Sequence, residues 1–160
     1  VQGGPQLPAS ITVDSLGSWT DFVGDEYKAF SGTAVYTTTI NKVPVADVIK
    51  LDLGSVAENA SVYLNGDYIG TVIDSPYQLY IPAEKFKGQD ELVVRVANSM
   101  ANRIAYMDKK GVEWKIFYNV NMSARKKENV KNGIFDASDW EPKSSGLLGP
   151  VTLTPAMVKQ

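Results

Sequence analysis

Apolar and polar positions alternate along this chain with a period of two, in short runs separated by turn residues. Over residues 61–72, Val62 and Leu64 alternate with Ser61 and Tyr63, Asn65-Gly66 follows, and Tyr68, Ile69 and Val72 continue beyond it. Asn-Gly between two such runs predicts a two-residue hairpin, because both turn positions need a positive φ. Ala34, Tyr36, Thr38 and Ile40 share one face of the run 33–41, which is rich in β-branched and aromatic residues. Ile49, Leu51 and Leu53 share another face, closed by Gly54. Leu92, Val94 and Val96 form a third, with Val93 and Arg95 opposite. Val151 and Leu153 alternate with Thr152 and Thr154, and residues 77–81 form a short run between Pro76 and Pro82. Half-buried antiparallel strands need this alternation, one side apolar and one wet.

Helical periodicity is weak. Residues 83–86 fit one turn before Gly88, and residues 129–135 fit either irregular chain or one short helix. Parallel βαβ architecture needs amphipathic helices between strands, and none is visible. The expectation is an all-β fold with little helix, its antiparallel strands forming a sandwich or barrel. Residues 98–146 read as a long, partly regular excursion between two core strands, carrying Tyr106, Trp114, Tyr118 and Trp140 among polar residues. Long loops in compact domains usually carry function, and burying aromatic rings orders them. No internal repeat or second domain is apparent. Residues 1–10 read as a polar, Gly/Pro-rich linker or cut end, and residues 11–160 as one sandwich domain.

Composition narrows the chemistry. A length of 160 residues with 44% hydrophobic side chains suffices for an ordinary core, burying roughly 70% of the unfolded chain's surface. The chain holds no cysteine and no histidine. Disulfide scaffolds, thiolate metal sites, cysteine nucleophiles and every Ser-His-Asp arrangement are therefore excluded. A net charge of −2 gives no general pull toward nucleic acid or anionic membranes, and Arg125-Lys126-Lys127 reads as a solvated loop. No apolar run approaches the roughly 20 residues a membrane helix needs.

Several motifs, in order, resemble a known family. Phe30-Ser31-Gly32-Thr33-Ala34-Val35-Tyr36 is similar to the entry strand of galactose-binding-like jelly rolls found in glycoside hydrolases. Leu51-Asp52-Leu53-Gly54, with Ala60-Ser61-Val62-Tyr63-Leu64-Asn65-Gly66-Asp67-Tyr68-Ile69-Gly70, resembles the adjoining strand and hairpin of β-galactosidase-type sugar-binding domains. Asp90-Glu91-Leu92-Val93-Val94-Arg95-Val96-Ala97-Asn98 resembles the strand that follows. Asn102-Arg103, Trp114-Lys115 and the ending Ser145-Gly146-Leu147-Leu148-Gly149-Pro150-Val151 are similar to α-L-rhamnosidase-type hydrolases, where such a sandwich accompanies a separate catalytic barrel. The resemblance spans roughly residues 19–155. It implies a jelly-roll β-sandwich, a catalytic domain in the same parent polypeptide, carbohydrate as a partner, and a periplasmic or extracellular location.

A sugar site needs flat apolar faces for the C–H surfaces of the ring and planar polar groups that bond several hydroxyls. Trp114, Tyr118 and Trp140 are the candidate faces. Asn98, Asn102, Arg103 and Lys115 are the candidate polar groups, with the Arg103 fork suited to paired hydroxyls or a carboxylate. The competing expectation is that the aromatics pin the excursion, and that Trp19 belongs to the core or a sheet face. Glycoside hydrolysis usually needs two carboxylates, roughly 5–5.5 Å or 6.5–9.5 Å apart. Asp108, Glu113, Asp136, Asp139 and Glu141 read as a solvated acidic loop in which no pair stands out, so no catalytic residue is assigned. Asp21, Asp25 and Glu26 match no calcium spacing, so no metal or cofactor is assigned either. Asn59-Ala60-Ser61 and Asn121-Met122-Ser123 match a glycosylation pattern frequent by chance. The expected function is that of a non-catalytic carbohydrate-binding or ancillary sandwich of a larger glycoside hydrolase. The alternatives are a structural spacer and a stand-alone lectin-like adhesion module.

Overall fold

A computed structural model of the chain describes residues 6–115 and 126–156. The described residues divide between two compact units. One comprises residues 12–18, 32–98 and the described part of 145–160. The other comprises the described parts of 1–11, 19–31 and 99–144. The strands in chain order are β1 (Thr33–Ile40), β2 (Val48–Asp52), β3 (Ser55–Ala57), β4 (Asn59–Leu64), β5 (Asp67–Val72), β6 (Gln78–Pro82), β7 (Asp90–Ala97), β8 (Val130–Lys131), β9 (Ile134–Phe135), β10 (Gly146–Gly149) and β11 (Thr152–Ala156). Among the described residues two α-helices accompany them, α1 (Asp25–Lys28) and α2 (Ala101–Lys109).

The first unit is an antiparallel sandwich. A four-stranded sheet runs β1-β7-β4-β5, and a three-stranded sheet runs β11-β2-β6. The expected inward faces meet in one core: Leu51 and Leu53 from the smaller sheet's side, Val62, Leu64, Leu92, Val94 and Val96 from the larger, with Ile81 and Leu147. The strict alternation of buried and open residues along β4 and β7 follows from the pleat, since a one-residue slip would turn every apolar side chain outward. Leu64 pairs with Asp67 across Asn65-Gly66, whose φ values are +53° and +86°, so the expected hairpin forms there. Register shifts between Val62 and Tyr63, leaving Ile69 as the extra residue of a bulge. The shift lets Ile69 as well as Val72 reach the core, which unbroken alternation would forbid.

One polar network and one close backbone approach fix this frame. Asp90 is only 1% exposed. Its carboxylate accepts from Asn65 Nδ2 at 2.6 Å, from the Lys87 N–H at 2.8 Å and from the Gly88 N–H at 3.1 Å. Burial alone would raise its pKa, but those donors and the Lys87 charge outweigh it and hold the group below the ordinary carboxylate range. Asn65 Oδ1 in turn accepts the Glu91 N–H at 3.0 Å, so the hairpin tip is tied to the start of β7. At Gly54, φ is +66° and the backbone passes so close to Gly149 that an added Cβ would lie 2.5 Å from its carbonyl. Only glycine fits there.

The second unit holds what the alternation did not reveal. Helix α2 follows directly on the end of β7, and Lys109-Lys110-Gly111 stops it. Gly111 N–H bonds Asp108 O at 3.1 Å and Val112 N–H bonds Met107 O at 2.9 Å, with Gly111 at φ +66°. That is a Schellman turn. Of residues 129–135, Asn129 closes a 3-10 turn, and the rest form neither a helix nor irregular chain: β8 and β9 pair across Asn132-Gly133, a second hairpin with φ values of +51° and +78°. Trp19 is buried, but in a single 3-10 turn rather than on a sheet, with its ring edge-on to Phe30 at 5.3 Å.

Candidate functional site

The Schellman turn delivers residues 111–115 to one side of a cleft of about 280 Å³, which among the described residues Asp108, Ile134 and Asp136 also line. This volume lies just below the usual range of ligand cavities, roughly 300–1,000 Å³.

Asp108 organises the cleft. Its side chain is 2% exposed, which corrects the expectation that it belongs to a solvated acidic loop. Oδ1 accepts from Trp114 Nε1 at 2.7 Å and lies 2.8 Å from Lys115 Nζ, while Oδ2 accepts the Ala137 N–H at 2.8 Å. One carboxylate thus joins the 111–115 turn to the segment that follows β9. A buried carboxylate is costly without partners, and three donors satisfy most of its lone-pair directions. Lys115 Nζ also sits 5.5 Å from the Trp114 ring centroid, within cation–π range.

Asp136 also departs from the solvated-loop expectation. The Ser138 hydroxyl and N–H both donate to its Oδ1, and Lys131 Nζ lies 3.4 Å away. The Ser138 hydroxyl is the largest influence; burial opposes it, and the Ser138 N–H and Lys131 add to it. The net effect holds the carboxyl below its ordinary range. Asp136 therefore stays ionised at neutral pH, the opposite of what a general acid requires. Glu113 is exposed.

Of the candidate residues, the structure brings Trp114 and Lys115 together at the cleft; Asn102, Arg103 and Trp140 do not line it. Asn102 is buried on α2 and pairs both amide ends with the backbone of Lys143, at 2.8 Å each way. Such reciprocal pairing pins the chain. Arg103 lies half-buried on the same helix. Trp140 stacks edge-on against Phe135 at 5.8 Å and donates Nε1–H to Asn129 Oδ1 at 3.0 Å. Asn98 belongs to the sandwich unit, where its Oδ1 accepts the Gly32 N–H at 3.0 Å and its Nδ2 donates to Ser145 Oγ at 3.1 Å. Tyr118 and the 121–123 glycosylation pattern lie outside the described residues. Among the described residues no grouping of three or more carboxylates could hold a metal ion, and Asp25 pairs with Lys110 at 3.3 Å. No described helix is long and apolar enough to cross a membrane.

Asp108 is the residue the sequence reading undervalued. Lys109-Lys110-Gly111 carries the signal for a helix end, which would have put Asp108 in a last helical turn. Nothing local reveals that Trp114 and Lys115 fold back onto it.

Comparison with known proteins follows the same lines as the motifs. The chain is 32% identical over 158 residues to a protein of Formosa agariphila provisionally named a beta-glucuronidase, a match covering 89% of this chain and 14% of that protein. It is similar to the rhamnosidase of Novosphingobium sp. PP1Y, with a TM-score of 0.74 and 30% identity, across 92% of this chain and 13% of that one. A GH2 beta-galacturonidase of Eisenbergiella tayi overlaps 61% of this chain and 17% of its own, at a TM-score of 0.48 and 22% identity. No family model matches. The relatives are glycoside hydrolases, and this chain corresponds to a small, domain-sized part of them.

Proposed function

We propose that the chain, matched as it is to one small part of glycoside hydrolases, is an ancillary non-catalytic β-sandwich domain over residues 11–160 of a larger enzyme. In this reading it contacts carbohydrate at the cleft beside Trp114. The catalytic domain of the same polypeptide is its other partner, and the location is periplasmic or extracellular. The observation that carries the carbohydrate contact is the cleft itself: an indole, an apolar Ile134 and carboxylate oxygens around a space the size of one sugar ring. The indole and Ile134 suit C–H surfaces, and carboxylates accept from hydroxyls. Hydrolysis by this chain alone is not part of the proposal. Asp108 is occupied by three donors and Asp136 stays ionised, so neither is suited to protonate a leaving group.

A second reading, a packing module without a sugar site, is favoured by one observation. The indole N–H groups of Trp114 and Trp140 are both bonded within the unit, as expected for rings that anchor a loop. Calorimetric titration with a panel of neutral and acidic glycosides separates the two. Binding that weakens by about tenfold or more in Trp114→Ala supports the cleft, whereas loss in Trp140→Ala or Arg103→Ala alone moves the site elsewhere. A panel with no binding leaves the packing module. Aryl glycosides incubated with the chain should release no phenol, and turnover would overturn the non-catalytic assignment.

A further inference from the structure

We infer that the cleft selects uncharged sugars over uronates, and that Asp108 is the positioning residue that sets this preference. The inference rests on the carbohydrate reading of the same cleft and adds the class of ligand.

Among the described lining residues stand three carboxylates, Asp108, Glu113 and Asp136, and one ammonium, Lys115. A sugar carboxylate would need that ammonium. Lys115 Nζ lies 2.8 Å from Asp108 Oδ1, and both side chains are largely withdrawn from water, at 16% and 2% exposure. At that distance and burial its charge is neutralised by its partner. Asp136 is matched by Lys131 at 3.4 Å. Glu113 remains as an exposed carboxylate with no ion pair among the described residues, and it repels an arriving anion. A neutral ring meets something else. Its hydroxyls can donate to Glu113, and its C–H face can lie on Trp114 or Ile134. Asp108 governs both halves of this arrangement, since it holds the Trp114 indole through Nε1 and cancels Lys115 with the same oxygen.

The test uses methyl glycosides in matched pairs, each neutral sugar against its uronate, in gluco, galacto and manno configurations. Binding to the full chain is followed by the NMR shift of the Trp114 indole N–H. The expected result is that at least one neutral glycoside binds about tenfold or more tightly than its uronate. Asp108→Asn, which leaves Lys115 unpaired, should shrink or reverse that ratio. Glu113→Gln, at an exposed position outside the buried pair, should shrink it too, and serves if Asp108→Asn fails to fold. A uronate bound as tightly as its neutral partner by the native chain overturns the inference but leaves the carbohydrate site standing. A ratio unchanged in the folded variants overturns it as well. No shift with any sugar removes the site and the inference together.

Discussion

The dipeptide Asn-Gly occurs as a tight turn twice in this molecule, and its two settings differ in almost everything but the turn. Asn65-Gly66 and Asn132-Gly133 adopt nearly the same backbone, with φ values of +53° and +86° against +51° and +78°. The first joins six-residue strands whose inward side chains are core, and its asparagine is wired to buried Asp90. The second joins two-residue strands, and Ile134 on β9 is exposed. Turn geometry is thus a local matter set by residues that tolerate positive φ. Whether the turn matters to stability depends on how much apolar surface and how many buried donors depend on it.

The two turns differ most in their dependence on Asp90. Asp90→Ala leaves Asn65 Nδ2 and the N–H groups of Lys87 and Gly88 without their acceptor, and should cost about 3 kcal/mol in urea unfolding followed by circular dichroism. Acidity probes the same group. Because its folded pKa lies below the unfolded value, its stabilisation is present at neutral pH and is lost as pH falls from roughly 4 through the folded pKa. Asp90→Asn should flatten that acid limb; an unchanged limb would mean other carboxylates govern it. A smaller effect sharpens the contrast between turns. Gly66→Ala forces a side chain into positive φ within the main ladder and should cost about 1–2 kcal/mol, while Gly133→Ala should move the sandwich's unfolding by less than about 0.5 kcal/mol. Equal costs would contradict the assignment of β8 and β9 as energetically minor. The smallest effect is expected at Lys131. It bridges Asp136 and Asp139 at 3.4 and 3.1 Å but is 51% exposed, so Lys131→Ala should leave the unfolding midpoint unchanged within error.

How much of this could be read in advance follows the same division. The inward faces of β2, β4 and β7 were legible because a pleated strand must alternate, and alternation survives in one dimension. The bulge at Ile69 was not, since it depends on how β4 pairs. Helix α2 escaped notice because, of its buried residues Asn102, Ala105 and Met107, only the first two stand at helical spacing and the first of them is polar. Asn132-Gly133 carried the same signal as Asn65-Gly66, but its flanking runs are too short to alternate. At the candidate site, Trp114 and Lys115 were legible as residue types suited to sugar. Asp108 was not, because a carboxylate's role is set by what folds onto it.

The amino-acid order by itself determined the antiparallel strands, the first hairpin and the need for glycine at sharp turns, since each follows from the conformational preferences and hydrophobic spacing of neighbouring residues. Tertiary structure alone decided which polar groups meet: Lys115 with Asp108, Asn65 with Asp90, Lys131 with Asp136. Those pairings join residues from 5 to 25 positions apart. Electrostatic interaction depends on distance through space and on exclusion of water, and neither is written in the chain until it folds.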